Sequence, residues 1–116
     1  MTNIETLLIA FIAIVHFYFL ILEMFLWTKP KGLKTFGLDK EFAEKSKVLA
    51  ANQGLYNGFL AAGLIWSILE NNSAIAIFFL SCVAVAGIYG SISLKKRTVF
   101  YIQALPAILA ILLIIN

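Results

Sequence analysis

Residues 7–27 read LLIAFIAIVHFYFLILEMFLW, aliphatic and aromatic except for His16 and Glu23. A helix of about 20 apolar residues crosses a hydrocarbon core of roughly 30 Å. This stretch has that length. It is not expected to be a cleaved leader, because no basic residue precedes it and no small-residue cleavage site follows it. Outward from it lie three further apolar runs, at about 48–69, 74–94 and 99–115, the last being the shortest. In lipid no water satisfies backbone N–H and C=O groups, so such runs must be helical. The composition agrees. Hydrophobic residues make up 62% and charged residues 13% of the 116, against roughly 45–50% and about 25% in ordinary soluble domains. A soluble fold this small could not bury so much apolar surface. The expected fold is therefore all-α: an integral membrane, up-down four-helix bundle, one transmembrane domain over residues 1–116.

The connections give it a direction. Residues 28–47 form the one substantial loop and carry Pro30, Gly32 and Gly37. Asp39 is placed to cap a helix at the membrane surface, with Glu41 and Lys45 at i,i+4 on its wet side, and that helix runs on into the second span. Ser73 and Thr98 are the expected N-caps of the third and fourth spans, after tight turns. Short turns make neighbouring helices antiparallel. Every basic residue falls in two connections: Lys29, Lys31, Lys34, Lys40, Lys45 and Lys47 in the first, Lys95, Lys96 and Arg97 in the third. Cytoplasmic loops collect Lys and Arg. Loops 28–47 and 95–98 are thus expected inside and both termini outside, with Trp27 and Trp66 at opposite interfaces.

Several residues within these runs are costly in lipid. His16 and Glu23 lie seven apart on one face of the first helix. Asn52, Gln53, Tyr56 and Asn57 lie in the second run, Tyr89 in the third, Gln103 in the fourth. Intramembrane ionisable and amide groups face a bundle interior or a wet cavity. At about 1.5 Å per residue, Glu23 is expected level with Asn52 and Gln53, and His16 level with Asn57. Those eight residues are the candidate ligand-binding or proton-carrying groups, gathered in a polar pocket nearer the cytoplasm. Each has a plainer alternative. Asn and Gln can serve as interhelical glue, Gly54-x-x-x-Gly58 is a close-packing face, and a buried His can be neutral and satisfied. Pro106 frees the Ile102 carbonyl and is expected to kink the fourth helix beside Gln103, with relief of packing as the plainer reading.

Other chemistry finds little footing. Cys82 is the only cysteine, so no internal disulfide can form. His16 and Glu23 sit about 10 Å apart along a helix and cannot share one metal ion. No metal, haem or other cofactor is expected. There is no Gly-rich phosphate loop or nucleophile elbow. The net charge of +3 resides in loops rather than on a basic face, which argues against nucleic acid.

The segments Leu22-Glu23-Met24-Phe25-Leu26-Trp27 and Ala51-Asn52-Gln53-Gly54-Leu55-Tyr56-Asn57-Gly58, with His16 and Phe36-Gly37-Leu38, resemble a family of small bacterial membrane proteins catalogued as domain of unknown function 1304. The resemblance covers nearly the whole chain. It implies a four-span protein of the bacterial inner membrane and supplies no activity. Three functional classes stay open. One is a protein that binds or transports a small polar or amphipathic molecule at Glu23. Another is a membrane enzyme acting on a lipid or isoprenoid, with Glu23 and His16 as acid and base. The third is a structural subunit whose polar groups specify helix pairing. Catalysis is the less favoured, because His16 and Glu23 are too far apart to share one proton. The lipid bilayer is the expected surrounding, and a homodimer is compatible with so small a bundle.

Overall fold

The computed structural model describes residues 1–116, which form helices and short connections without strands. In chain order the helices are α1 Asn3–Met24, α2 Pro30–Phe36, α3 Lys40–Leu69, α4 Ser73–Ser93 and α5 Arg97–Ile115. Three of them, α1, α4 and α5, are long and apolar enough to cross a membrane. Four were expected, and three meet this measure of length and apolarity. The helix covering the second run, α3, has ample length at 30 residues but falls short in apolarity. The amides of Asn52, Gln53 and Asn57 lower it. Only 33%, 28% and 17% of the apolar windows of α1, α4 and α5 are buried within the protein. So much exposed aliphatic surface on three helices is compatible with a membrane protein.

Local details follow from the residues. Asp39 caps α3, its Oδ1 accepting from the Phe42 N–H at 2.7 Å. Lys45 meets Glu41 at 3.0 Å one turn on, and α3 continues unbroken from this surface turn into the apolar run, as expected. Helix α1 stops at Met24 instead of Trp27. Pro30 accounts for the break, since it holds Lys29 extended (φ −92°, ψ 162°) and itself starts α2, a short helix in what was expected to be plain loop. Asn72, rather than Ser73, caps α4, accepting from Ala74 and Ile75. Lys96, rather than Thr98, stands at the N-cap of α5 and gives no side-chain cap. Just before Pro106, where a kink was expected, the helix has a π-helical turn over Phe100–Ala104, closed by Leu105 N–H to the Phe100 carbonyl.

The chain divides into two compact units. One combines Met1–Ala13 with Leu60–Asn116, the other is Ile14–Phe59. The first has an aliphatic core of Ile9, Ile12, Leu64, Leu80, Val83 and the small Ala76, Ala107 and Ala110. Its α4 and α5 are antiparallel, with Gly87 against Gln103 and Ala104, and Gly90 against Val99.

In the second unit α1 and α3 are also antiparallel. Leu20 lies against Gly58, Glu23 and Met24 against Gly54, and Trp27 Nε1 donates to Ser46 Oγ at 3.0 Å. The expected small-residue face is therefore in use. Ser46 passes its own proton to the Phe42 carbonyl at 2.7 Å, and Trp27 leans on Phe36 at 5.0 Å. Ser46→Ala should cost about 1 kcal/mol, the net worth of one such bond. Tryptophan emission in a Trp66→Phe background reads it as a shift of the Trp27 spectrum at unchanged helicity.

Candidate functional site

The candidate site is built by two helix faces in the second unit. On α1, a spacing of seven puts His16 and Glu23 on one side. On α3, Gln53 and Asn57 are one turn apart at i,i+4, with Gly54 between them. A Cβ at Gly54 would lie 2.8 Å from Met24 Cγ and 3.0 Å from Glu23 Cβ, closer than side chains tolerate. The absent side chain is what lets the two backbones approach. At that separation Gln53 Nε2 donates to Glu23 Oε2 at 2.7 Å and Asn57 Nδ2 donates to Glu23 Oε1 at 2.6 Å. Glu23 is 4% and Asn57 8% exposed, whereas Gln53 is exposed. Both carboxyl oxygens are thus held by neutral donors. The ion pairs of the chain are Glu41–Lys45 and Glu44–Lys47, both exposed and neither at Glu23.

Asn57 was expected one level away, beside His16. Side chains on a helix lean toward its N-terminus. On antiparallel helices, Glu23 and Asn57 therefore lean toward each other, which closes the gap.

The other candidates are placed differently. His16 is 1% exposed and lies edge-on to Phe19 at 5.5 Å. Asn52 and Tyr56 are exposed, and Tyr56 tilts against Phe59 at 6.0 Å. Tyr89, also exposed, and Gln103, half-buried beside Gly87, belong to the other unit. The eight candidates thus yield one three-residue cluster, Glu23–Gln53–Asn57. No three His, Cys, Asp or Glu side chains gather as metal ligands. A cleft of about 450 Å³ is lined by Ser91, Lys95, Arg97, Phe100 and Tyr101. An apolar groove of about 320 Å³ is lined by Trp66, Ala74, Ile75, Phe78 and Phe79. Glu23 lines neither of them. Sequence reasoning missed the first cleft, although the Lys95-Lys96-Arg97 triplet marked its position.

Chemically, the cluster is a buried carboxyl whose hydrogen bonds come only from amides. Such a group can exchange a proton, or trade an amide for a cationic or N–H-bearing partner, without breaking an ion pair. Among proteins of known sequence, the chain is 32% identical over 116 residues to the "Uncharacterized protein YpaA" of Lactococcus lactis subsp. lactis (strain IL1403), covering 97% of each. No solved structure matches it. Residues 10–115 match the family described as "Protein of unknown function (DUF1304)", and the chain belongs to that family.

Proposed function

We propose that this is a multi-pass protein of the bacterial cell membrane in which Glu23 binds a small polar or amphipathic molecule, or a proton, in the course of transport. Four helices cross in this reading, with α3 as the polar fourth and α1 as its partner. Loops 28–47 and 95–98 face the cytoplasm, as their basic residues support, and the termini face outward. The observation that carries the reading is a carboxyl, 4% exposed, that has amide partners and no cation. Ionisable groups in a spanning helix mark ligand and proton paths. Gln53 is the amide open to the surroundings, so it is the partner that an incoming group displaces. Asn57 stays as the fixed one.

One specific observation favours a second reading. Both oxygens are already satisfied, and Gly54 brings the helices together, which is what a helix-pairing clamp requires. Glu23→Gln separates the two, because the amide keeps the shape and an acceptor while removing the acid. Native mass spectrometry of the gently solubilised protein should give a bound small molecule on the wild type and none on Glu23→Gln. A bare chain in both samples defeats the binding reading and leaves the clamp.

A further inference from the structure

Three turns in the chain pass through a left-handed residue: Gly37 (φ 64°), Asn71 (φ 46°) and Lys95 (φ 55°). They close in the same way. Asn72 N–H reaches the Ser67 carbonyl at 3.0 Å, Lys96 N–H reaches Ser91 at 3.1 Å, and Leu38 N–H reaches Leu33 at 2.9 Å. Glycine and asparagine take this conformation at little cost, while other residues clash with their own backbone. Lys95 is the exception. Its position was open to glycine, and a strained residue of this kind points to a use for its side chain.

That use lies next to it. Lys95 and Arg97 line the cleft of about 450 Å³ with Ser91, Phe100 and Tyr101. Ser91 donates to the Ile88 carbonyl at 2.8 Å, so the cleft's free side-chain donors are the ammonium, the guanidinium and the Tyr101 hydroxyl. No Asp or Glu occurs anywhere in residues 71–116, so neither α4 nor α5 supplies this positive charge with an acidic counter-ion. The far wall is the π-helical turn Phe100–Ala104. Such turns are frequent at functional sites. Flanked by α4 and α5, both able to span a bilayer, the cleft falls at headgroup depth, where aromatic rings and basic side chains meet lipid phosphate.

We infer that the cleft between the end of α4 and the start of α5 binds the phosphate of an anionic phospholipid. Lys95 and Arg97 hold the phosphate, and Phe100 and Tyr101 lie along the glycerol and upper acyl chain. The chemistry recognised is a phosphate group, so free phosphate is the rival source.

The test uses the purified protein in neutral detergent, with native mass spectrometry counting bound phosphatidylglycerol against phosphatidylcholine of the same chain length. Wild type should favour phosphatidylglycerol, and the double variant Lys95→Gln, Arg97→Gln should bind it about 30-fold more weakly. A control, Lys34→Gln with Lys40→Gln, removes equal charge elsewhere and should retain it. Lys95→Gly should raise Tm by a few degrees, by relieving the left-handed residue, while weakening lipid binding about fivefold. Undiminished binding in the double variant, or an equal loss in the control, overturns the site. Displacement of the lipid by millimolar inorganic phosphate assigns the cleft to a soluble anion and overturns the lipid.

Discussion

Gly87→Leu should destabilise the protein by about 3 kcal/mol or more, the upper range for overpacking a filled contact. A Cβ at this position would meet the Ala104 backbone nitrogen at 2.6 Å and Gln103 Cβ at 2.8 Å. Flexible side chains can give way, but a backbone atom moves only with its helix. The substitution therefore has to separate α4 from α5, along a seam where Ala104, Ala107 and Ala110 are fully buried. Two comparisons make the cause specific. Gly87→Ala should already cost more than the gain in helix propensity of about 1 kcal/mol returns. Ala104→Gly should fail to rescue it, because the nearest obstacle is the nitrogen and not the methyl group. Unfolding in mixed micelles measures all three, and a full rescue by Ala104→Gly would mean that the contact is between side chains after all.

The second large effect belongs to Asn57. Asn57→Leu keeps the branched heavy-atom skeleton but leaves Glu23 Oε1 without its donor in a buried setting, a loss of about 2 kcal/mol. Interhelical hydrogen bonds in membranes average only about 0.6 kcal/mol, because the separated helices find other partners. The stranded acceptor, not the lost bond, is what makes the larger figure. Gln53→Leu should cost less, since Gln53 is exposed and its place at Oε2 is open to water or a headgroup. Adding Glu23→Leu to Asn57→Leu should recover most of the loss, because an apolar pair replaces an unmatched acceptor. The unfolding midpoints of the single and double variants give the coupling directly. Equal losses from Asn57→Leu and Gln53→Leu would contradict the asymmetry in burial.

Much of this architecture is legible in the residues. The cap at Asp39, the continuity of α3 from a wet turn into an apolar run, and the close face at Gly54 and Gly58 all follow from local chemistry. Each involves atoms within a turn or two of one another, or a single missing side chain. What escaped reading depends on distance in space. Asn57 joins Glu23 only because two antiparallel helices lean their side chains oppositely, which no count of residues along one helix reveals. Tyr89 and Gln103 looked equivalent to Tyr56 as polar interruptions, yet they lie in another unit. The apolar runs themselves misled at α3, where long aliphatic flanks hid how far three amides lower its apolarity. The basic triplet at residues 95–97 read as a topology signal alone. Only the left-handed turn, which depends on the bonds made by Ser91 and Ile92, folds it over a cleft.

The shortfall of α3 has a consequence for how the protein is made. On the four-span reading, a segment with three amides in its middle partitions poorly into lipid as a free helix. Two of those amides, Gln53 and Asn57, have Glu23 to receive them. On that same reading α1 and α3 are expected to enter the bilayer together, as a hairpin. Glu23 has the same need in reverse. The carboxyl and the amides act as each other's passport across the interface, so the order in which the ribosome delivers them becomes part of the fold.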